Sequence, residues 1–245
     1  MASFSDYSNI LPDPNNPIGD AGQALAVVSG GTAGPGYASV QLSSEQPTMI
    51  DRTNSGRVVA RALVGHKWNI QIGYNPMTRA QFEPVYNFLL HKRGRLRPFY
   101  VSLPQYAAPQ DASFASFVQG ATLLVNGAQT AGVDNFEISS VTPLSGAPSP
   151  GDLFTITDSS DSNHTKAYMV TRVETNANYQ QDDQPSSSQY RIHFTPGLAR
   201  SVTNGSEVVF DNPLIRVILA QDIQEYSLGT NNLYSFSLRL EEAQP

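Results

Sequence analysis

KWNIQIGYNPMTRAQFEPVYNFLLHKRGRLRPFYVSLP, residues 67–104, predicts a strand, a helix and a second strand in close succession. In the first part, apolar residues alternate with polar or small ones, at Trp68, Ile70, Ile72 and Tyr74. The same alternation returns in residues 98–104. A period of two is typical of a strand that buries one face and exposes the other. The stretch therefore predicts two half-buried strands around a helix.

Between these strands the apolar residues change to a helical spacing. The expected apolar face consists of Phe82, Val85, Tyr86, Leu89 and Leu90. Thr78 and Gln81 fit a capping box at the start, and Gly94 fits the residue that follows a helix end. Pro84 lies inside the span, so either the first turn is kinked or the regular helix begins at Pro84.

Upstream of residue 67, residues 57–64 also predict a strand, which we expect to form a hairpin with residues 67–74 through a turn at Gly65 and His66. Residues 1–36 carry Pro12, Pro14 and Pro17 and a Gly-rich run at 29–36 that contains a fourth proline, a composition that predicts an extended arm with a flexible joint. Such an arm is either disordered or laid against a neighbouring subunit, and its apolar residues favour the second alternative.

Downstream, long alternation returns in residues 214–219 and 233–240, and we expect these strands to complete the sheet begun before residue 104. The predicted fold class is mainly β, a β-rich α+β protein. A split β-sheet core with one amphipathic helix occupies 37–108 plus 213–245, and residues 109–212 form an inserted β module. Six short strands are expected in that module, at 121–125, 135–141, 152–157, 166–173, 190–194 and 206–210. Turn residues separate them, which is typical of a small barrel or a sandwich.

The composition of the chain excludes several classes of function. The 245 residues carry a net charge of −6, which disfavours free nucleic acid as a partner. There are no cysteines, so disulfides and thiolate chemistry are excluded. The N-terminal residues lack a basic and an apolar region, so we expect no secretory signal, and no apolar run reaches the roughly 20 residues needed to span a bilayer. We therefore expect a soluble protein that is made and assembled in a cytoplasm.

Catalytic motifs are missing from the sequence. No nucleophile elbow, zinc-protease pair or phosphate loop is present. The four histidines are scattered, and Asp158, Asp161 and Asn163 lack the spacing of a calcium loop. We predict no enzyme activity, no cofactor and no metal. A glycosidase with paired carboxylates is the enzymatic alternative that the sequence leaves open.

A basic cluster follows the helix at Lys92, Arg93, Arg95 and Arg97. Basic residues at a helix C-terminus are expected from the helix dipole alone. A charged contact with an acidic neighbouring subunit is the other interpretation, and the sequence favours neither. The candidate subunit interface comprises Lys92, Arg93, Arg95, Arg97, Ile10 and Leu11.

A resemblance to a known family rests on three stretches. In the first, the helix and the basic, Gly-containing corner after it lead into the strand of residues 98–104. In the second, the last strand is aromatic and apolar and is followed by Glu241 and Glu242. In the third, residues 151–198 have the character of a small β domain. Together they resemble tailed-bacteriophage tail proteins of the distal tail or baseplate hub type.

This resemblance implies a structural virion protein in a ring, usually sixfold, that joins the tail tube to the host-recognition apparatus. Its implied partners are further copies of itself and the tail tube and baseplate proteins, and its location is the virion tail, assembled in the host bacterial cytoplasm. One alternative is a carbohydrate- or receptor-binding tail module, for which Tyr179 and Tyr190 are the candidate stacking residues. A tail tube initiator or tail completion protein is another.

Overall fold

The structure is a computed structural model that describes residues 9–16, 34–62 and 65–244. The described residues divide into two compact units. The sheet unit contains the described residues up to Val101 together with Arg216–Ala243, and the barrel unit contains Ser102–Ile215. The domain limits drawn from the sequence, 37–108 plus 213–245 and 109–212, stay a prediction.

Most of the regular structure in the described residues is β. Its strands are β1 (Tyr37–Glu45), β2 (Thr48–Arg52), β3 (Val58–Ala62), β4 (Lys67–Tyr74), β5 (Phe99–Ser102), β6 (Leu123–Asn126), β7 (Asn135–Ser140), β8 (Leu153–Thr157), β9 (Ala167–Thr175), β10 (Gln189–Thr195), β11 (Glu207–Val209), β12 (Leu214–Leu219), β13 (Ser227–Leu228), β14 (Tyr234–Ser235) and β15 (Ser237–Glu242). The two α-helices are α1 (Arg79–His91) and α2 (Ala112–Val118), and short 3-10 turns occur at Gly94–Leu96 and Pro104–Tyr106.

The sheet unit is organised around a five-stranded sheet with the order β1-β4-β15-β12-β5. β15, from the end of the chain, lies between β4 and β12, and Leu240 is aligned with both Ile70 and Leu219. In β4 the four alternating apolar residues predicted from the sequence are buried. The predicted fold class, a mainly β protein whose core sheet is split in sequence, is therefore confirmed.

Helix α1 begins at Arg79, with Pro84 inside it, so the alternative in which it starts at Pro84 is wrong. Gln81 Oε1 accepts a hydrogen bond of 3.1 Å from the Thr78 N–H, as the capping box requires. The buried face consists of Phe82, Val85, Phe88 and Leu89. Leu90, predicted to share this face, is 52% exposed, because it lies about 100° around the helix from Leu89 and on the side away from Val85.

The hairpin expected between residues 57–64 and 67–74 is wrong. β3 pairs with β2, and β4 pairs with β1. The turn that joins β2 to β3 is closed by a 3.0 Å hydrogen bond from the Thr53 N–H to the Arg57 carbonyl, and it places Gly56 at a φ of +79°. Gly56 has no Cβ, so this turn forms without strain. Leu63 and Val64 lie outside the described residues.

The barrel unit is a six-stranded closed barrel with the order β10-β7-β6-β11-β8-β9. Its strands correspond to the six short strands predicted from the sequence, and closure decides between barrel and sandwich. The interior is rich in aromatic side chains, among them Phe154, Tyr168, Phe194 and Phe210. Helix α2 was not predicted. Asp111 caps it by accepting a 2.7 Å hydrogen bond from the Phe114 N–H, and Phe114 joins the barrel core.

Candidate interaction surfaces

The predicted interface residues Ile10 and Leu11 lie inside the sheet unit. Ile10 forms a parallel bridge with Tyr100 of β5, and the Leu11 N–H donates a 2.8 Å hydrogen bond to the Tyr100 carbonyl. Ile10 is 4% exposed and Leu11 is fully buried. This segment of the arm therefore covers the edge of β5 in its own chain. The part of the arm that contains the Gly-rich joint up to residue 33 lies outside the described residues.

Lys92, the first member of the basic cluster, is also buried. Its Nζ donates to the side chain of Asn9 and lies 4.4 Å from the centre of the Phe88 ring. Burial and, to a smaller extent, the positive charge of the nearby Arg97 together lower the pKa of Lys92 to about 8. The side chain thus ties the arm to the end of α1 and offers little surface to another subunit.

The remaining basic residues are exposed, but two of them have partners in this chain. An Arg95 Nη lies 3.3 Å from a Glu241 carboxylate oxygen in β15, and the Arg97 guanidinium lies 3.2 Å from the His91 ring. Burial and the neighbouring cations lower the pKa of His91. Arg93 adopts a left-handed conformation with a φ of +54° and is exposed. Arg93, Arg95 and Arg97 are thus the exposed members of the six predicted interface residues.

The β2–β3 hairpin is a surface that the sequence did not single out. All its residues from Thr48 to Arg61 are exposed, and the large apolar ones are Met49, Ile50, Val58 and Val59. Cross-strand partners share a face, so the pairing of Ile50 with Ala60 and of Arg52 with Val58 creates one apolar face ending in an arginine. The available signal was the Asn54-Ser55-Gly56 turn between two runs rich in Val, Ile and Ala.

A second exposed apolar surface, the 223–228 surface, precedes and includes β13. Ile223, Tyr226 and Leu228 are 70%, 48% and 53% exposed. The Tyr226 ring also packs 4.9 Å from the ring of Phe82 on α1. Beside this surface is an open cleft of about 660 Å³ that is lined by charged side chains of both signs, including Asp222, Glu225, Arg95 and Arg239.

The outer face of the barrel carries an ion-pair network centred on Arg191. Its guanidinium lies 3.1 Å from carboxylate oxygens of Glu137, Glu174 and Asp183. Glu174 is 4% exposed and also contacts the His193 ring at 3.0 Å. Because Glu137, Glu174 and Arg191 come from β7, β9 and β10, the network joins three strands. Asp183 belongs to the polar loop between β9 and β10 and attaches that loop to the strands.

Neither candidate sugar-stacking residue presents a free ring. The Tyr179 ring lies 5.7 Å from the Arg172 guanidinium carbon and 5.9 Å from that of Arg191, and its hydroxyl contacts Asp183. The Tyr190 hydroxyl donates to the Gly146 carbonyl, and its ring packs against the barrel core. A sugar needs an open aromatic face for stacking, so these contacts give the carbohydrate-binding alternative no support.

Asp158 and Asp161 belong to an ordered turn. Asp158 accepts hydrogen bonds from the Thr203 N–H and hydroxyl and from the Ser160 N–H, and these bonds lower its pKa against the opposing effect of burial. Within residues 9–16, 34–62 and 65–244, no group of three or more acidic, histidine or cysteine residues could hold a metal. In the same ranges, no helix is long and apolar enough to cross a membrane.

Comparison with known proteins points to a structural protein of a bacteriophage tail. No family model matches the chain. The chain is similar to the distal tail protein pb9 of Escherichia phage T5, with 26% identity over 218 residues, which cover 86% of this chain and 93% of the phage T5 protein. The resemblance to distal tail proteins of tailed phages is therefore confirmed, and it supports a structural role in the virion tail.

Proposed function

We propose that copies of this chain assemble into a closed ring, with six as the expected number, at the distal end of a phage tail. The ring joins the tail tube to the host-recognition apparatus and is assembled in the host bacterial cytoplasm. Its partners are further copies of the chain and the tail tube and baseplate proteins. The role is structural and requires no catalytic residue or cofactor.

The exposed β2–β3 hairpin is the observation that carries this proposal. A two-stranded ribbon is marginally stable by itself in water, and this one exposes apolar side chains on both faces. Exposed apolar residues clustered on one element are typical of a surface that a partner covers. A neighbouring copy that packs on the hairpin would remove this apolar area from water and hold its two strands together.

The free edge of the five-stranded sheet gives further support. β5 is covered on its outer side by residues 9–11, whereas β1, at the other edge, has no further strand beside it among the described residues. β1 has nine residues and carries neither lysine nor proline, the residues that commonly protect such an edge. An uncovered edge of this length is a surface on which a second chain can dock.

Native mass spectrometry and negative-stain imaging of the full chain test the ring, alone and with the tail-tube protein of the same phage. We expect closed rings of several copies in at least one of these conditions. The Ile50→Ser, Val58→Ser double variant should reduce assembly at least tenfold, because it makes the apolar face of the hairpin polar. Val141→Ser is the matched control, since Val141 is 91% exposed on the barrel unit. A wild-type chain that remains monomeric in both conditions would refute the proposal.

A further inference from the structure

We infer that the hairpin of one copy docks on the 223–228 surface of the next copy, so that the ring is built from one repeated head-to-tail contact. This inference rests on the proposed ring and names the two faces of its interface. One face is the apolar side of the hairpin, with Ile50 and Val58. The other is the exposed group of Ile223, Tyr226 and Leu228.

The two surfaces are attached to opposite ends of the same strand. The hairpin is inserted in the chain between Glu45 and Lys67, which pair at one end of the β1–β4 ladder. At the other end of β4, the Tyr74 N–H bonds to the Phe236 carbonyl and Met77 bridges to Tyr234, the residue paired with Leu228. Seven residue steps along β4 correspond to about 23 Å.

This placement determines the type of assembly. A surface that binds a different surface on an identical partner produces a heterologous contact, which repeats until the copies close a ring. Because the hairpin and the 223–228 surface lie at opposite ends of the sheet, each copy can use both at once. A contact of the hairpin with itself would instead stop at a dimer.

The charges of the two surfaces are complementary. The hairpin, residues 48–62, carries three arginines and one aspartate, a net charge of +2, on a chain whose net charge is −6. Arg52, Arg57 and Arg61 are exposed and form no ion pair with the described residues. The 223–228 surface carries one charged residue, the exposed Glu225, and the adjoining cleft contains Asp222 together with Arg95 and Arg239. Glu225 offers the hairpin arginines an opposite charge, and like charges disfavour contact of the hairpin with itself.

Cysteine cross-linking tests the contact directly, because the chain has no native cysteine. Full-length chain carrying both Ile50→Cys and Leu228→Cys, treated with an oxidant or a short bis-maleimide, should give a ladder of covalent multimers up to the ring size. Mixing the two single variants should give covalent dimers only. Ile50→Cys combined with Val141→Cys is the control and should give no ladder. Dimers from Ile50→Cys alone would show a contact of the hairpin with itself and overturn the inference.

A charge exchange provides a second test with folded proteins, since all the altered residues are exposed. Arg57→Glu and Glu225→Arg should each weaken self-association about tenfold, and the double variant should recover most of the loss. If wild-type rings form but neither the ladder nor the recovery is seen, the hairpin docks elsewhere and only this inference fails. If the wild-type chain does not assemble even with tail-tube protein, the proposed function fails, and the inference fails with it.

Discussion

Lys92 forms a structural contact with the N-terminal arm at the cost of burying its charged ammonium group. Its ammonium group binds Asn9 and lies over the Phe88 ring, yet it has been removed from most of its water. Burial disfavours the charged form, which is why the pKa is lowered. The same residue therefore holds the arm in place and makes the stability of the sheet unit depend on pH.

The pH dependence has a definite sign. An unfolded lysine has a pKa near 10.4, whereas Lys92 in the folded chain has a pKa of about 8. Between these values the unfolded state binds more protons, so the contribution of Lys92 to the free energy of unfolding rises with pH. We expect the wild type to gain up to about 3 kcal/mol relative to Lys92→Met between pH 7.5 and 10.5, measured by urea unfolding. A constant or falling difference would contradict a buried ammonium.

Gly94 is required at the turn after α1 for two reasons. Its φ is +64°, and a Cβ at this position would lie 2.8 Å from Asp222 Oδ1. Gly94→Ala should therefore lower the free energy of unfolding by about 2 kcal/mol. In an Asp222→Ala background the steric part disappears, and the loss should fall to about 1 kcal/mol. Equal losses in the two backgrounds would mean that Asp222 does not crowd this glycine.

At the scale of the element, the Arg191 network holds the loop between β9 and β10 on the barrel. The Arg191 guanidinium donates to the Asp183 carbonyl as well as to its carboxylate, so it binds both backbone and side chain of the loop. Arg172 also reaches Glu174, but its side chain is 60% exposed and that of Arg191 is 16% exposed. The two arginines thus contact the same carboxylate in different surroundings.

Replacement of Arg191 and replacement of Arg172 should lower the free energy of unfolding by different amounts. Arg191→Met leaves the buried Glu174 close to Glu137 without the intervening cation, and should lower the free energy of unfolding by about 3 kcal/mol. Arg172→Met removes an exposed partner and should cost less than about 1 kcal/mol. Thermal or urea unfolding measures the difference, and limited proteolysis should show faster cleavage in residues 176–189 of Arg191→Met alone. Similar losses in the two variants would refute a central role for Arg191.

The elements also show which features local sequence can predict. The strand from Lys67 to Tyr74 and the helix beginning at Arg79 follow from periodicities within a few residues. The strand that pairs with Val58–Ala62 cannot be predicted in this way. A turn precedes Val58–Ala62 and another follows it, and the pairing depends on which of the two forms a hairpin. Likewise, the sequence revealed six short strands, but closure of the barrel depends on β10 pairing with both β7 and β9. The β7–β10 pair is formed by residues about 50 positions apart in the chain, such as Ser139 and Gln189.

The candidate interface was less predictable than the fold for the same reason. The sequence shows Arg95 without a neighbouring acidic residue, but in the structure it contacts Glu241, which is 146 residues away. From the sequence, Ile10 and Leu11 were predicted to be apolar arm residues that contact a neighbouring subunit. In the structure they are buried beside β5 of their own chain. Exposure is a property of the tertiary structure, so the hairpin became a candidate surface only once its surroundings were known. The interface itself stays a prediction.

At the scale of the whole molecule, the barrel unit has the physical properties of an independent domain. Its sheet is closed, so all six strands have a neighbour on both sides and no edge remains to be satisfied by another part of the chain. Its core is separate and dominated by aromatic residues, with Phe154 in contact with Tyr168, Phe194 and Phe210. Such a unit contains most of the apolar burial that its own folding requires.

We therefore expect residues 102–215, produced alone, to fold cooperatively and to remain monomeric, because the hairpin and the 223–228 surface belong to the sheet unit. Dispersed amide NMR signals and a single unfolding transition would establish the fold. Phe154→Ala in the isolated unit should lower its free energy of unfolding by about 4 kcal/mol, whereas the exposed Val141→Ala should change it by less than about 0.5 kcal/mol. Collapsed, dye-binding protein without dispersed signals would show that the barrel depends on the sheet unit, and self-association of the isolated barrel would place assembly contacts outside the hairpin.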